Sequence, residues 1–242
     1  MVITSPAHPA SPGNRILQAL AQEEREALTA DLELVALPTK MVIFEPGEAI
    51  QWVHFPLDGV ISLITPLADG DAVEVATIGN EGIIGVPAVA GGSLVVRALA
   101  PVGGHALRIA AGQFTRDLER FPDLQRLVRR YVQALFGQIA QAAACNRLHS
   151  NEERLSRWLL MTHDRVGSDT FPVTHEFLAQ MLGSRRATVT LSAGSLQSDG
   201  LIHYQRGEVT IVDRPALEAV ACECQRVIKA ALEAVVASPM EL

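Results

Sequence analysis

Two adjacent arginines, Arg185 and Arg186, carry the clearest chemistry in this chain. A guanidinium presents a planar fork of donors suited to paired hydrogen bonds with guanine or phosphate. Side chains of compatible chemistry stand close by. Thr174, Ser184, Thr188 and Thr190 supply hydroxyls, Leu191 supplies an apolar group that can meet a thymine methyl, and Arg206 adds a further cation. Such a set reads the edges and backbone of a nucleic acid, provided that a rigid element presents it on one face.

The flanking residues predict such an element. Phe177, Leu178, Met181 and Leu182 fall on one helical face, with Thr174 as N-cap and the small Ala179 allowing a second helix to pack close. Gly183 ends this helix where a left-handed residue is needed, and Ser184 is placed to cap a second helix with Val189, Ala193 and Leu196 inward. Two β-prone runs follow, 201–205 and 208–212, joined at Arg206-Gly207. Two helices and a two-stranded wing form a winged helix-turn-helix, whose second helix enters the DNA major groove. With Val189, Ala193 and Leu196 inward, Ala187, Leu191 and Gly194 point outward and supply no hydrogen bonds. Specificity then rests on Arg185, Arg186, Thr188 and Thr190 or on DNA deformability. The alternative is a sensing or interaction module whose winged helix contacts a protein partner.

Composition narrows the classes. At 242 residues with 48% hydrophobic side chains, the chain has room for two cores. No apolar run is long enough to cross a bilayer, and residues 1–13 read as a disordered lead-in without a signal-peptide core, so a cytoplasmic protein with no membrane partner is expected. A net charge of −7 argues against nonspecific coating of nucleic acid but not against a local contact surface. No phosphate loop, G-x-S-x-G elbow or zinc-spaced His/Cys set is present, which argues against an enzyme. Cys145 and His149 are four apart and can share a helix face. Cys222 and Cys224, two apart on an expected continuous helix, should diverge. Two ligands fall short of a structural zinc set, so no metal is expected and these residues read as helix packing.

The remaining elements follow from periodicity. Residues 14–29 read as a helical segment with Ile16, Leu17, Leu20 and Leu28 apolar. From Leu34 to Ile109, short Val/Ile/Leu runs broken by turn residues predict an antiparallel β-barrel or jelly roll within an α+β protein. A helix over 111–121 leads to a long one opened by Pro122 and reaching His149, with Leu124, Leu127, Val128, Tyr131, Leu135, Ile139 and Ala142 as its apolar stripe. A second copy of the same helix is the expected cover, giving a two-fold homodimer. A helix over 151–166 and another opened by Pro215 complete the chain. The expected divisions are a lead-in at 1–13, a sensor domain at 14–121, a dimerisation helix at 122–150 and a DNA-binding domain at 151–242.

The order of barrel, long helix and winged helix, with the segment Ser184-Arg185-Arg186-Ala187-Thr188-Val189, resembles the CRP/FNR family of bacterial transcription regulators. The resemblance implies that Arg186 is the major-groove arginine, with Ala187 and Leu191 departing from the Glu and Arg usual there. It implies an allosteric homodimer on double-stranded DNA, with RNA polymerase as a further partner. The barrel resembles a cyclic-nucleotide-binding domain whose cassette has changed. Gly82 and Gly85, the pocket candidates, are not followed by Glu, Glu81 precedes its glycine, and Arg97 is followed by Ala98-Leu99. Arg97 is left to hold another anion or to pair with a carboxylate. Cyclic AMP is therefore not expected as effector. No cysteine precedes Cys145, so an N-terminal iron–sulfur cluster is not expected and no cofactor is assigned.

Overall fold

The computed structural model describes residues 13–68, 70–86 and 93–237, so the lead-in at 1–12 lies outside the described residues. Two short helices, α1 (Arg15–Gln18) and α2 (Gln22–Thr29), replace the single helical segment expected at the start. Asn14 caps α1 by accepting from the amides of Ile16 and Leu17 at 3.1 and 3.2 Å.

Among the described residues seven strands follow: β1 (Glu33–Leu37), β2 (Val42–Phe44), β3 (Trp52–Pro56), β4 (Val60–Pro66), β5 (Ala72–Ile78), β6 (Arg97–Val102) and β7 (Gly104–Ala110). All their pairings are antiparallel. They form two sheets, ordered β1-β7-β3 and β2-β6-β4-β5, rather than one closed barrel. This is the jelly-roll form of the expectation. Leu37, Phe44, Ile61, Leu63, Ala98 and Ala100 fill the space between the sheets. Gly59 carries the chain from β3 to β4 at φ +74°, where an added Cβ would lie 2.8 Å from the Gly103 carbonyl oxygen. Only glycine fits that turn.

Helix α3 (Ala111–Arg120) runs into α4 (Pro122–Leu148), which spans 27 residues, a length of about 40 Å. Leu124, Leu127, Val128, Tyr131 and Ala134 belong to the same core as Val53, Phe55 and Ile109 of the jelly roll and Ile228, Leu232 and Val235 of the last helix. The expected dimer stripe is therefore largely interior to its own chain. Leu124, Leu127, Val128, Tyr131 and Ala142 are all buried there, and Leu135 is half-buried. The sheet and the last helix reach those positions first. The apolar side left outward holds Val132, Phe136 and Ile139 with Ala140 and Ala143, and Phe136 is 71% exposed.

Ser150 opens α5 (Asn151–Val166) with a capping box, its hydroxyl accepting from the Glu153 amide and its amide donating to the Glu153 carboxylate. The winged helix follows as β8 (Thr170–Pro172), α6 (His175–Leu182), α7 (Arg186–Ser198), β9 (Ile202–Gln205) and β10 (Glu208–Ile211). Its wing has three strands, ordered β8-β10-β9, where two were expected. The third, Thr170-Phe171-Pro172, is too short for an alternating pattern, and only Phe171 is buried in it. The expected C-terminal helix is broken into α8 (Arg214–Val220) and α9 (Cys224–Val236). No helix among the described residues is long and apolar enough to cross a membrane.

Candidate nucleic-acid interface

The recognition surface starts from the turn between α6 and α7. Thr174 caps α6, its hydroxyl accepting from the Phe177 amide at 3.1 Å, so this side chain serves the helix before any outside partner. Gly183 ends α6 at φ +54°, and the Ser184 amide returns to the Ala179 carbonyl at 2.9 Å. Ser184 is not the cap of α7. That position falls to Arg185, which makes no side-chain capping bond. The first turn of α7 thus has no side-chain acceptor on its amides, and Arg185 and Arg186 are exposed beside it. An uncapped helix start flanked by guanidinium groups favours a phosphate.

Four expected contact residues divide by environment. Leu191 is 76% exposed on the outer face of α7 together with Ala187 and Gly194. Thr188 is half-buried. Thr190 is exposed but engaged, its hydroxyl donating to the Arg186 carbonyl and sharing a hydrogen bond with His175 Nδ1, both at 3.0 Å. It braces α6 against α7, which subtracts it from the free readers. Arg206 sits at the wing tip at φ +52° with Gly207 at φ +82°, the two left-handed residues of a tight hairpin turn.

Sequence reasoning missed the parts that make this surface rigid. His175 stacks on Tyr204 with ring centroids 4.1 Å apart, and Tyr204 donates its hydroxyl to the Val173 carbonyl at 3.0 Å. Gln197 accepts from the Tyr204 amide at 2.7 Å, tying α7 to the wing. Burial, and then the nearby Arg186 charge, lowers the His175 pKa, so the stacked ring stays neutral.

The sensor candidates do not converge on one pocket. Gly82 lies under α4, where a Cβ would meet the Tyr131 hydroxyl oxygen at 2.7 Å, and Gly85 lies against β3, where a Cβ would be 2.8 Å from the Trp52 carbonyl oxygen. Both glycines are there for packing. Glu81 faces the other half of the molecule and accepts twice from Arg165 on its Oε1, at 3.0 Å from Nε and 2.7 Å from Nη2. Arg97 donates to Glu45 at 2.8 Å, the carboxylate pairing left open by the sequence. It also borders a cleft of about 1010 Å³ between β2, β5 and the start of the winged helix, where Arg185 and Arg186 lie as well.

The two halves are joined by buried polar groups. Glu74 of β5 accepts from Ser62, from Thr77 at 2.7 Å and from the Trp158 indole at 3.3 Å, and burial raises its carboxyl pKa. Arg165 also donates to the Thr77 carbonyl at 3.1 Å. Apolar Ile64, Ala72 and Leu99 of the sensor share one core with Trp158, Leu182 and Leu196.

The cysteines differ from expectation as well. The helix break at Ala221 brings Cys222 and Cys224 to the same place as Cys145 and His149, and the four ligating atoms lie within 4.8 Å of one another.

Residues 153–220 match the model of the Crp-like helix-turn-helix domain. The chain is 26% identical to the global nitrogen regulator of Synechocystis sp. over 191 residues, 72% of this chain and 82% of that protein. The structure of FixK2 from Bradyrhizobium japonicum superposes with a TM-score of 0.68 at 14% identity, covering 79% of this chain and 98% of that one. A CRP/FNR-family transcriptional regulator from Eubacterium rectale gives 0.65 at 18% identity, covering 87% and 97%. The fold is shared with both structures, and the Synechocystis and Eubacterium rectale proteins are described as regulators. With a Crp-like helix-turn-helix domain set behind a jelly-roll domain and a long helix, the chain is a DNA-binding transcription regulator, similar in sequence to a global nitrogen regulator and in fold to a CRP/FNR-family regulator.

Proposed function

We propose that the chain acts as a cytoplasmic homodimer on a two-fold DNA site, with α7 in the major groove of each half-site. The observation that carries this reading is the open start of α7, where Arg185 and Arg186 project from a helix pair braced by the Tyr204 and Gln197 contacts. Arg186 and Arg185 read bases or anchor phosphates, Leu191 and Ala187 meet thymine methyls, and Arg206 reaches backbone from the wing. RNA polymerase is the further partner that the family resemblance implies.

The dimer seam falls on the outward stripe of α4, Val132, Phe136 and Ile139. A large exposed aromatic on a helix this long is a face awaiting a partner. Phe136→Asp leaves the interior untouched and puts two like charges on the seam. It should sediment as a folded monomer and lose most of its affinity for a palindrome while keeping half-site contacts.

The effector is not cyclic AMP. Neither Gly82 nor Gly85 is followed by the Glu that would take the ribose, and the Arg97 guanidinium left for a phosphate is paired with Glu45, as Glu81 is with Arg165. Calorimetry at millimolar cyclic AMP should show no saturable heat. An effector that alters the Glu81 or Glu74 region would shift the winged helix directly, because those residues hold it to the sensor.

Selection of bound duplexes from a random pool tests the whole reading. Two-fold sites with half-sites about 10 base pairs apart are expected, bound with an affinity that falls steeply with salt. Recovery of no preferred sequence, with salt-insensitive binding to a protein partner instead, would favour the interaction-module alternative.

A further inference from the structure

We propose that Cys145, His149, Cys222 and Cys224 form a Cys3His site for a single tetrahedral transition-metal ion of the zinc type. The site stands independently of the DNA-binding reading, since it lies at the junction of α4 with the α8–α9 turn and not on the recognition surface.

Local structure brings the four groups together. Cys145 lies in the last turn of α4 and His149 is its C-cap, whose amide donates to the Cys145 carbonyl at 3.1 Å and keeps the two beside each other. On a continuous helix, Cys222 and Cys224 would point about 200° apart. Instead Ala221 is extended at φ −66°, ψ 145°, which ends α8, and α9 begins only at Cys224. The resulting Cys-x-Cys turn aims both sulfurs at the end of α4. Cys145 Sγ lies 3.6 Å from Cys222 Sγ, and Cys224 Sγ lies 3.5 Å from His149 Nδ1. Tetrahedral coordination with bonds of about 2.3 Å to sulfur and about 2.0 Å to nitrogen places ligand atoms about 3.5–3.8 Å apart. The observed spacing thus fits one ion. An iron–sulfur cluster would hold its thiolates farther apart than a site whose ligating atoms all fall within 4.8 Å.

The surroundings match those of a metal centre. The three cysteines are buried, which excludes competing water. His149 presents Nδ1 to the sulfurs, and its Nε2 lies 3.2 Å from the Glu223 carboxylate, the outer partner that fixes the imidazole tautomer in metal sites. Gln141 donates to Cys224 Sγ at 3.1 Å, a bond that favours a thiolate. Softness of the ligands selects zinc-like ions over magnesium or calcium. On binding, three thiols release their protons to solvent, and three thiolates with a divalent ion leave one net negative charge. The cations of Arg154 and Arg157 stand close enough to Cys145 to offset it. The ion would pin α9 and the α8–α9 turn to α4 beside the His149–Ser150 joint, where the winged half meets the long helix.

The test uses the full chain, reduced, stripped with a chelator and titrated with Co2+. One Co2+ per chain should bind, with intense thiolate-to-cobalt charge transfer and the visible d–d bands of a tetrahedral ion. Zn2+ should displace it, and Zn2+ should raise the thermal midpoint while releasing protons. Cys222→Ser and Cys145→Ser should each abolish or sharply weaken the bands. Glu223→Gln alters an exposed carboxylate that packs in no core, so it should keep fold and bands while binding Co2+ about 10-fold more weakly. The assignment is overturned if the wild-type chain gives no saturable tetrahedral spectrum. It also falls if both cysteine variants keep the spectrum, if a Cys145–Cys222 disulfide persists in reductant, or if the cysteines take up an iron–sulfur chromophore in place of a single ion.

Discussion

Two Arg–Glu pairs mark the two ends of the winged helix, and they differ in every physical respect. Arg165 and Glu81 meet at 2.7 Å with side chains 7% and 9% exposed. Arg186 and Glu176 meet at 3.9 Å with side chains 70% and 78% exposed. The first pair is desolvated, joined by two hydrogen bonds and supported by backbone carbonyls of Met161 and Thr77, so removing one partner strands a buried charge. The second is solvated and loosely held, and each side chain is available to something outside the chain. The contrast separates a seam built to hold the halves together from a surface built to be used.

The largest effect should come from breaking the seam. Glu81→Ala leaves the Arg165 guanidinium buried without its carboxylate and should cost about 3–5 kcal/mol in urea unfolding. It should also loosen the winged helix from the sensor, seen as faster amide exchange in α5 and β5. A cost below about 1 kcal/mol would mean that Arg165 is satisfied by its carbonyl contacts alone.

That seam was not legible in the sequence, and the reason is physical. Glu81 and Arg165 are 84 residues apart, and no periodicity links them. The winged helix was legible because its information is local. Leu178, Leu182, Val189 and Leu196 repeat at helical spacing, Gly183 is needed at positive φ, and Arg206-Gly207 fits a tight turn. The long helix shows the boundary between the two kinds of information. Its 27 residues and the proline at its start follow from sequence, but Leu127 and Phe136 are equally apolar there. Only the approach of the sheet and of α9 makes Leu127 interior and leaves Phe136 exposed. The cysteine cluster was hidden in the same way, because it depends on a helix break at Ala221 that neither glycine nor proline announces.

On the open side, Arg186→Ala should lower affinity for the best site by about 1–3 kcal/mol and relax preference at one position per half-site. Stability should hardly change. Equal losses on specific and random duplexes would make Arg186 a phosphate anchor and shift base reading to Arg185.

Glu74 sharpens the comparison from the seam side through pH. Burial raises its folded-state pKa above the unfolded value. Between those two values the native chain holds a proton that the unfolded chain has released, so stability falls as pH climbs above the ordinary carboxyl range. Glu74→Gln keeps its carbonyl oxygen as acceptor for Trp158 and Ser62, turns its amide N–H toward the Thr77 hydroxyl, which can accept, and cannot ionise. Its urea midpoint should lose that downward trend above the ordinary carboxyl range while remaining close to wild type at the acid end. A retained trend would assign the pH dependence to another group.

The smallest effect, and the most discriminating for the recognition surface, belongs to Glu176→Gln. The exposed pair with Arg186 is worth at most about 0.5 kcal/mol to folding, so thermal and urea midpoints should stay in place. The carboxylate nonetheless lies on α6 beside the start of α7, and a phosphate approaching Arg186 would feel its repulsion. Removing that charge frees the guanidinium and should tighten binding to any duplex by a few-fold at low salt. The gain should shrink as salt screens the interaction. Because the change acts through charge, specific and random sequences should gain alike, whereas Arg186→Ala should separate them. A Glu176→Gln variant that binds more weakly would show that the carboxylate orients Arg186 for base contact. The open pair would then be a positioning device like the buried one, and the division between seam and surface would have to be redrawn.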